Sequence, residues 1–228
     1  MPAARSQGGR PRGAEGAGLL DVARQMFLDS GFAGTTMADV ATRARVSKSS
    51  LYRDFPSKDS LFEAVISDWV QRGRNALHPH VDALLAADDL EAALRRFASV
   101  LQAGVLADPV ARVRRVVMAE AQHFPAVARA YAESWDRNVE MLADTFAELM
   151  RRGSLIQHDP EVAARQFTWL VLADPLNARS LGPFSDQLDA ERLAATADEA
   201  VETFGARFLV GPGAQPRPYP SDHLHSAL

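Results

Sequence analysis

Cysteine is absent from this 228-residue chain. That excludes a disulfide framework, a thiol nucleophile and any cysteine-ligated zinc. Lysine is almost as scarce, with Lys48 and Lys58 the only two. No apolar run reaches the roughly 18 residues that a membrane helix needs, and the N-terminus has no apolar signal core. The cytoplasm is therefore the expected location, with no membrane partner. A glycine-rich phosphate loop, a nucleophile elbow and a Ser/His/Asp order are also missing. No catalytic residue and no cofactor is expected, and the chain does not read as an enzyme. Glu120 and His123 have the Glu-x-x-His spacing of carboxylate-bridged di-iron bundles. A second such pair is lacking, so no metal site is expected.

What is present suits a folded globular protein, 47% apolar and 24% charged. The length accommodates one small module and a larger domain. Net charge is −4, but it is unevenly spread. Residues 1–58 hold nine cations (Arg5, Arg10, Arg12, Arg24, Arg43, Arg45, Lys48, Arg53 and Lys58) against five anions (Glu15, Asp21, Asp29, Asp39 and Asp54). That first quarter carries +4, which leaves −8 on the remainder. A basic end joined to an acidic body is the charge pattern of a nucleic-acid-reading module on a non-nucleic-acid domain.

The basic end contains the most informative stretch, Thr35 to Phe62. Met37, Val40, Ala41 and Ala44 fall at i, i+3, i+4 and i+7, one apolar stripe of a short helix. Thr36 is placed to cap it, either as a cap alone or also as a phosphate contact. A break follows at Ala44-Arg45-Val46-Ser47. Ser47 can cap a second helix with Leu51 and Phe55 on its inner side. Lys48, Ser49, Ser50, Tyr52, Arg53 and Asp54 are left outside. Two short helices, a tight turn and an outer face of donors fit a helix-turn-helix in the major groove, or an ordinary helical hairpin with a solvated face.

Three pieces of this region, LLDVARQMFLDSGFAGTT, MADVATRARVSKSSLYRDF and PSKDSLFEAVI, together resemble the N-terminal domain of the tetracycline-repressor (TetR) family from Leu19 to Val65. The resemblance implies a homodimeric, all-helical, ligand-controlled DNA-binding repressor. Arg45 stands where the family usually has glycine; if that residue is left-handed, arginine there costs roughly 1 kcal/mol of strain. It also adds a cation near the phosphates. Lys58, in the first turn of the following helix, is poorly placed for the helix dipole, and a bound phosphate would explain it. The expected DNA-binding set is Thr36, Arg45, Ser47, Lys48, Ser49, Ser50, Tyr52, Arg53 and Lys58. Lys48 and Arg53 can donate to guanine or phosphate, and Tyr52 can contact a thymine methyl or a phosphate.

Residues 1–14 read as a disordered basic arm, or equally as a solvated tail with incidental arginines. The helix-turn-helix domain is expected over 15–62, its first helix running from about Glu15 to Ser30 with Leu19, Ala23, Met26 and Phe27 inward. Gly31 is the expected stop. A fourth helix opens at Ser57-Lys58 and buries Phe62, Val65, Ile66 and Trp69. From 63 to 210 the chain reads as a helical ligand-binding and dimerisation domain, with helices at 89–106, 110–123, 126–152, 160–180 and 187–209. RRVVMAEAQHFPAVARAYAES and DPEVAARQFTWLV resemble AefR-like C-terminal domains within the same family. Residues 211–228, with four prolines, read as a disordered tail. The fold class is thus all-α, a three-helix DNA-binding domain followed by a helical bundle.

Ligands in helical bundles sit between facing helices in mostly apolar cavities. Met118, Gln122, Tyr131, Trp135, Asn138, Phe167, Trp169 and Leu170 are the candidates for a small-molecule effector of unknown identity; each is equally explicable as plain core. For the homodimer, the resemblance implies a four-helix bundle, with 160–180 and 187–209 the natural helices. Phe167, Leu170, Val171, Val201, Phe204 and Phe208 would supply apolar surface, or pack within one subunit. The expected partners are thus a double-stranded DNA operator, an effector and a second copy. The rival reading is an all-helical small-molecule-binding protein or enzyme that never meets DNA.

Overall fold

The computed structural model describes residues 12–73, 76–180 and 189–210, with side chains from residue 18 onward. The expected tail and most of the expected N-terminal arm lie outside the described residues. The described residues form ten helices in order: α1 (Arg12–Gly34), α2 (Met37–Arg43), α3 (Lys48–Asp54), α4 (Lys58–Gly73), α5 (His78–Leu85), α6 (Leu90–Val105), α7 (Asp108–Glu120), α8 (Pro125–Arg151), α9 (Pro160–Ser180) and α10 (Ala190–Phe208). Among the described residues the only β pairing is an isolated bridge between Leu155 and Leu209. No described helix is long and apolar enough to cross a membrane.

The described residues fall into two compact units, one drawn from 1–72 and 116–130, the other from 73–115 and 131–228. The first does not end at residue 62, because α4 is one unbroken helix with Leu61, Phe62, Val65 and Ile66 all buried. The stretch 116–130 joins it through Phe124, whose ring lies 4.9 Å from Phe32 and 5.0 Å from Phe62. Phe27 completes this aromatic cluster at 5.2 Å from Phe62. Leu19, Ala23, Met26 and Phe27 form the inward stripe of α1 as their spacing predicts. Gly31, at φ 70°, breaks the helical backbone where a stop was expected, and one further turn follows it. Trp69 is only half-buried, with the Arg24 guanidinium 5.0 Å over its ring.

The second unit is built on α6, α8, α9 and α10. Phe204 lies 5.2 Å from Phe146, 5.1 Å from Phe167 and 4.6 Å from Phe208. Aspartates start three of these helices, α6, α9 and α10. Asp89 accepts from the Ala92 N–H at 2.9 Å, Asp159 from Glu161 at 2.9 Å, and Asp189 from Glu191 at 3.1 Å. Each satisfies a donor the first turn leaves open and places a negative charge at the positive end of the helix dipole.

Two readings of the body change. Helix α5 was not expected; its short apolar stripe, Val81 and Leu84, is buried behind a proline in the first turn. Phe167, Val171, Val201, Phe204 and Phe208 are all fully buried within the protomer, so they cannot cover a second copy. Periodicity marks a helix's apolar side, and here the protomer's own helices already occupy it.

Candidate nucleic-acid interface and cavity

Helices α2 and α3 are too short to be stable alone, so their ends matter. The Thr36 hydroxyl accepts from the Asp39 N–H at 3.2 Å and donates to the Asp39 carboxylate at 2.6 Å. Ser47 accepts from the Ser50 N–H at 3.0 Å, and its oxygen lies 3.0 Å from the Ser49 hydroxyl. Met37, Val40, Ala41 and Leu51 are the buried residues that anchor the pair. Phe55 does not continue the inner face of α3. It is half-buried with extended backbone and ends the helix.

The turn between them is a Schellman closure. The Val46 N–H bonds the Ala41 carbonyl at 3.0 Å, and the Arg45 N–H bonds Thr42 at 3.2 Å. The residue between must be left-handed, and Arg45 has φ 57°, the only positive φ on a non-glycine among the described residues. The same closure ends α8, where Ser154 bonds Leu149 at 2.9 Å and Gly153 bonds Met150 at 3.0 Å. There the left-handed residue is Gly153, at φ 77°. Arginine thus occupies a position for which glycine is the relaxed residue.

The outer side of α3 is open. Lys48, Ser49, Tyr52 and Arg53 are exposed, Tyr52 at 49%, with Ser50 half-buried at its edge. Arg53 donates to the Ser50 hydroxyl at 3.0 Å and to Asp54 at 3.2 Å, which lays its guanidinium along the helix. Arg43 and Arg45 are exposed beside it. A short helix presenting cations, hydroxyls and one ring to solvent can donate to phosphates and to base edges alike.

Lys58 has a structural partner. Its Nζ donates to the Phe32 carbonyl at 2.8 Å and lies 4.3 Å over the Phe32 ring. A cation at the carbonyl end of α1 is well placed for that helix's dipole, which accounts for a lysine the dipole of α4 disfavours. Thr36 and Ser47 are likewise committed as caps.

The second unit holds a small cavity of about 30 Å³. Phe97, Leu101 and Val105 of α6 form one wall; Trp135, Asn138, Val139 and Leu142 of α8 form another, with Leu77 and Thr168 completing the lining. Two expected effector residues, Trp135 and Asn138, are therefore at the cavity. The others are placed elsewhere. Phe167 is core, while Trp169 and Leu170 face outward at 46% and 40% exposure. Met118 and Gln122 are exposed. Tyr131 is half-buried one turn before Trp135. Burial pushes its phenol pKa up, against the opposing pull of the Arg114 guanidinium. Sequence reasoning missed Phe97, Leu101, Leu142 and Thr168. Only Thr168, a polar side chain on the inward face of its helix, carried a signal. No group of three or more acidic or histidine side chains could hold a metal among the described residues.

An exposed helix-turn-helix followed by a helical unit with an internal cavity is the build of a one-component DNA-binding regulator. Residues 19–65 match the family of bacterial regulatory proteins named for tetR, and residues 92–209 match the AefR-like transcriptional repressor C-terminal domain. The chain belongs to the TetR family, whose members bind DNA and usually act as dimers. Among its relatives is the HTH-type transcriptional repressor Rv3405c of Mycobacterium tuberculosis, 32% identical over 113 residues. That match covers 49% of this chain and 54% of the relative, so the chain spans about half the length of the curated relatives it matches. The repressor KstR2 of Mycolicibacterium smegmatis is 40% identical over 52 residues, 23% of this chain and 25% of its own. A TetR-family regulator from Mesorhizobium loti has a crystal structure with TM-score 0.83 and 27% identity, covering 89% of this chain and all of that one. The flavonoid-responsive regulator FrrA aligns over 89% of this chain and 100% of its own, with TM-score 0.66 and 28% identity.

Proposed function

We propose that this chain is a ligand-responsive transcriptional repressor that binds a partly palindromic operator as a homodimer. The outer face of α3 carries the reading, because Lys48, Ser49, Tyr52 and Arg53 are all exposed on one short, doubly anchored helix. Tyr52 and Arg53 read base edges, Lys48, Ser49 and Ser50 contact base edges or flanking phosphates, and Arg45 adds a phosphate contact from the turn. Thr36, Ser47 and Lys58 hold the head in shape and so position the readers. Two heads meet half-sites about one helical turn, roughly 34 Å, apart or somewhat further.

Trp169, Leu170 and Ala173 give α9 an exposed apolar strip, and a two-fold contact through it covers two large apolar side chains on each copy. The effector occupies the cavity between α6 and α8, and FrrA's response to flavonoids supports an organic ring compound there. Such a ligand releases DNA only through its differential affinity for the two conformations.

Gel shifts on DNA upstream of the chain's own gene test this. Tyr52→Ala and Arg53→Ala each weaken operator binding about tenfold or more. Affinity also falls steeply with added salt as counterions are released. Binding indifferent to salt, or unchanged in both variants, overturns the reading.

A further inference from the structure

The cavity beside Trp135 has a lining chemistry that names its guest. None of its lining side chains is charged. Phe97, Leu101, Val139 and Leu142 make a fully buried apolar floor, while Leu77, Val105, Trp135 and Asn138 are half-buried and form the rim. Two polar groups interrupt this surface. The Thr168 side chain is 5% exposed, and neither its hydroxyl nor the Asn138 amide makes a hydrogen bond among the described residues. A buried hydroxyl and an amide, each lacking a protein partner, together offer donors and acceptors to whatever enters.

From this we infer that the effector is an uncharged, largely apolar ring compound with one neutral hydrogen-bonding head, a hydroxyl or carbonyl, taken up by Asn138 and Thr168. The inference rests on the proposed function above and gives that site its ligand class. A carboxylate or ammonium entering here would lose its water with no opposite charge in the lining to replace it. A ring is favoured over a chain because Trp135 offers it a flat face at the rim. The existing space has room for about two ordered waters, less than a fused ring needs. A ring therefore seats by displacing the smaller rim side chains, Leu77 and Val105, while stacking on Trp135. That indole is itself held in place by Trp169, whose ring lies 5.6 Å away.

Three compounds of one shape decide the matter on the full chain by calorimetry: 2-naphthol, naphthalene and 2-naphthoate. The expected order places 2-naphthol tightest, with 2-naphthoate weaker by at least about tenfold. Thr168→Val and Asn138→Leu, both checked by circular dichroism for an unchanged fold, erase most of the preference for naphthol over naphthalene. The inference is overturned if naphthoate binds as well as naphthol, if no neutral compound binds, or if neither substitution alters the preference. Gel shift keeps the two claims apart. Naphthol that binds as described and leaves the operator complex intact refutes the regulatory switch alone. Naphthoate that releases the operator refutes the ligand class alone.

Discussion

Replacing Arg45 by glycine makes the protein more stable and a weaker DNA binder at once. At φ 57° an L-residue carries a steric penalty of about 1–2 kcal/mol that glycine does not. Glycine returns about 0.5–1 kcal/mol of that through the larger freedom it loses on folding. The net gain is about 0.5–1 kcal/mol, or roughly 1–4 °C in Tm for a chain of this size. The Schellman bonds from Val46 and Arg45 involve backbone only and survive the change. Arg45→Ala keeps the strain and removes the charge, which makes it the control. In the gel shift, both variants lose one phosphate contact, and the slope of log affinity against log salt falls by about 0.9. Thermal melts and salt titrations on the three proteins side by side separate the effects. A glycine variant no more stable than the alanine variant refutes the strain argument. An unchanged salt slope in both removes Arg45 from the phosphates.

Three further outcomes follow from the same geometry. Lys58→Met keeps the aliphatic stem but loses the bond to the Phe32 carbonyl and the contact with its ring, lowering stability by about 2 kcal/mol in chemical denaturation. A change in DNA affinity with no change in stability would return Lys58 to the phosphates. Trp169→Glu puts a charge in the exposed strip of α9 and shifts the chain to monomer in sedimentation, its fold unchanged by circular dichroism; a variant that stays dimeric places the interface elsewhere. Tyr131 has its pKa raised by burial, so its contribution to stability is full below the unfolded value near 10 and is lost as pH climbs through the folded value. Tyr131→Phe flattens that alkaline decline in melts between about pH 9 and 11, and an unaltered decline assigns it to other groups.

Much of the head was legible in the sequence because its signals are local. Thr36 and Ser47 cap the helices they precede, as residues of their type and position should. The inward faces of α1, α2 and α4 follow from spacing, apart from Ala44 and Trp69, which are only half-buried. Even the strained turn was visible as an arginine where glycine is usual. The ends of α2 and α3 depend on bonds spanning three to five residues, which any reader of the chain can place.

What the tertiary structure decided is which surface covers which. Lys58 read as a phosphate ligand, and nothing in the sequence marked the Phe32 carbonyl, 26 residues away, that the fold brings to its ammonium. Phe124 was an unremarked neighbour of a histidine, yet it closes an aromatic cluster whose other members lie 62 or more residues earlier in the chain. Phe167 and Trp169, two positions apart, were alike candidates for the effector or for plain core, yet the first is core and the second is surface. Helical periodicity marks a side of each helix as apolar, but every apolar side in a bundle looks alike from the sequence. Whether it meets the protomer's own core, a cavity or a second copy is set by long-range packing, whose partners carry no local mark of one another.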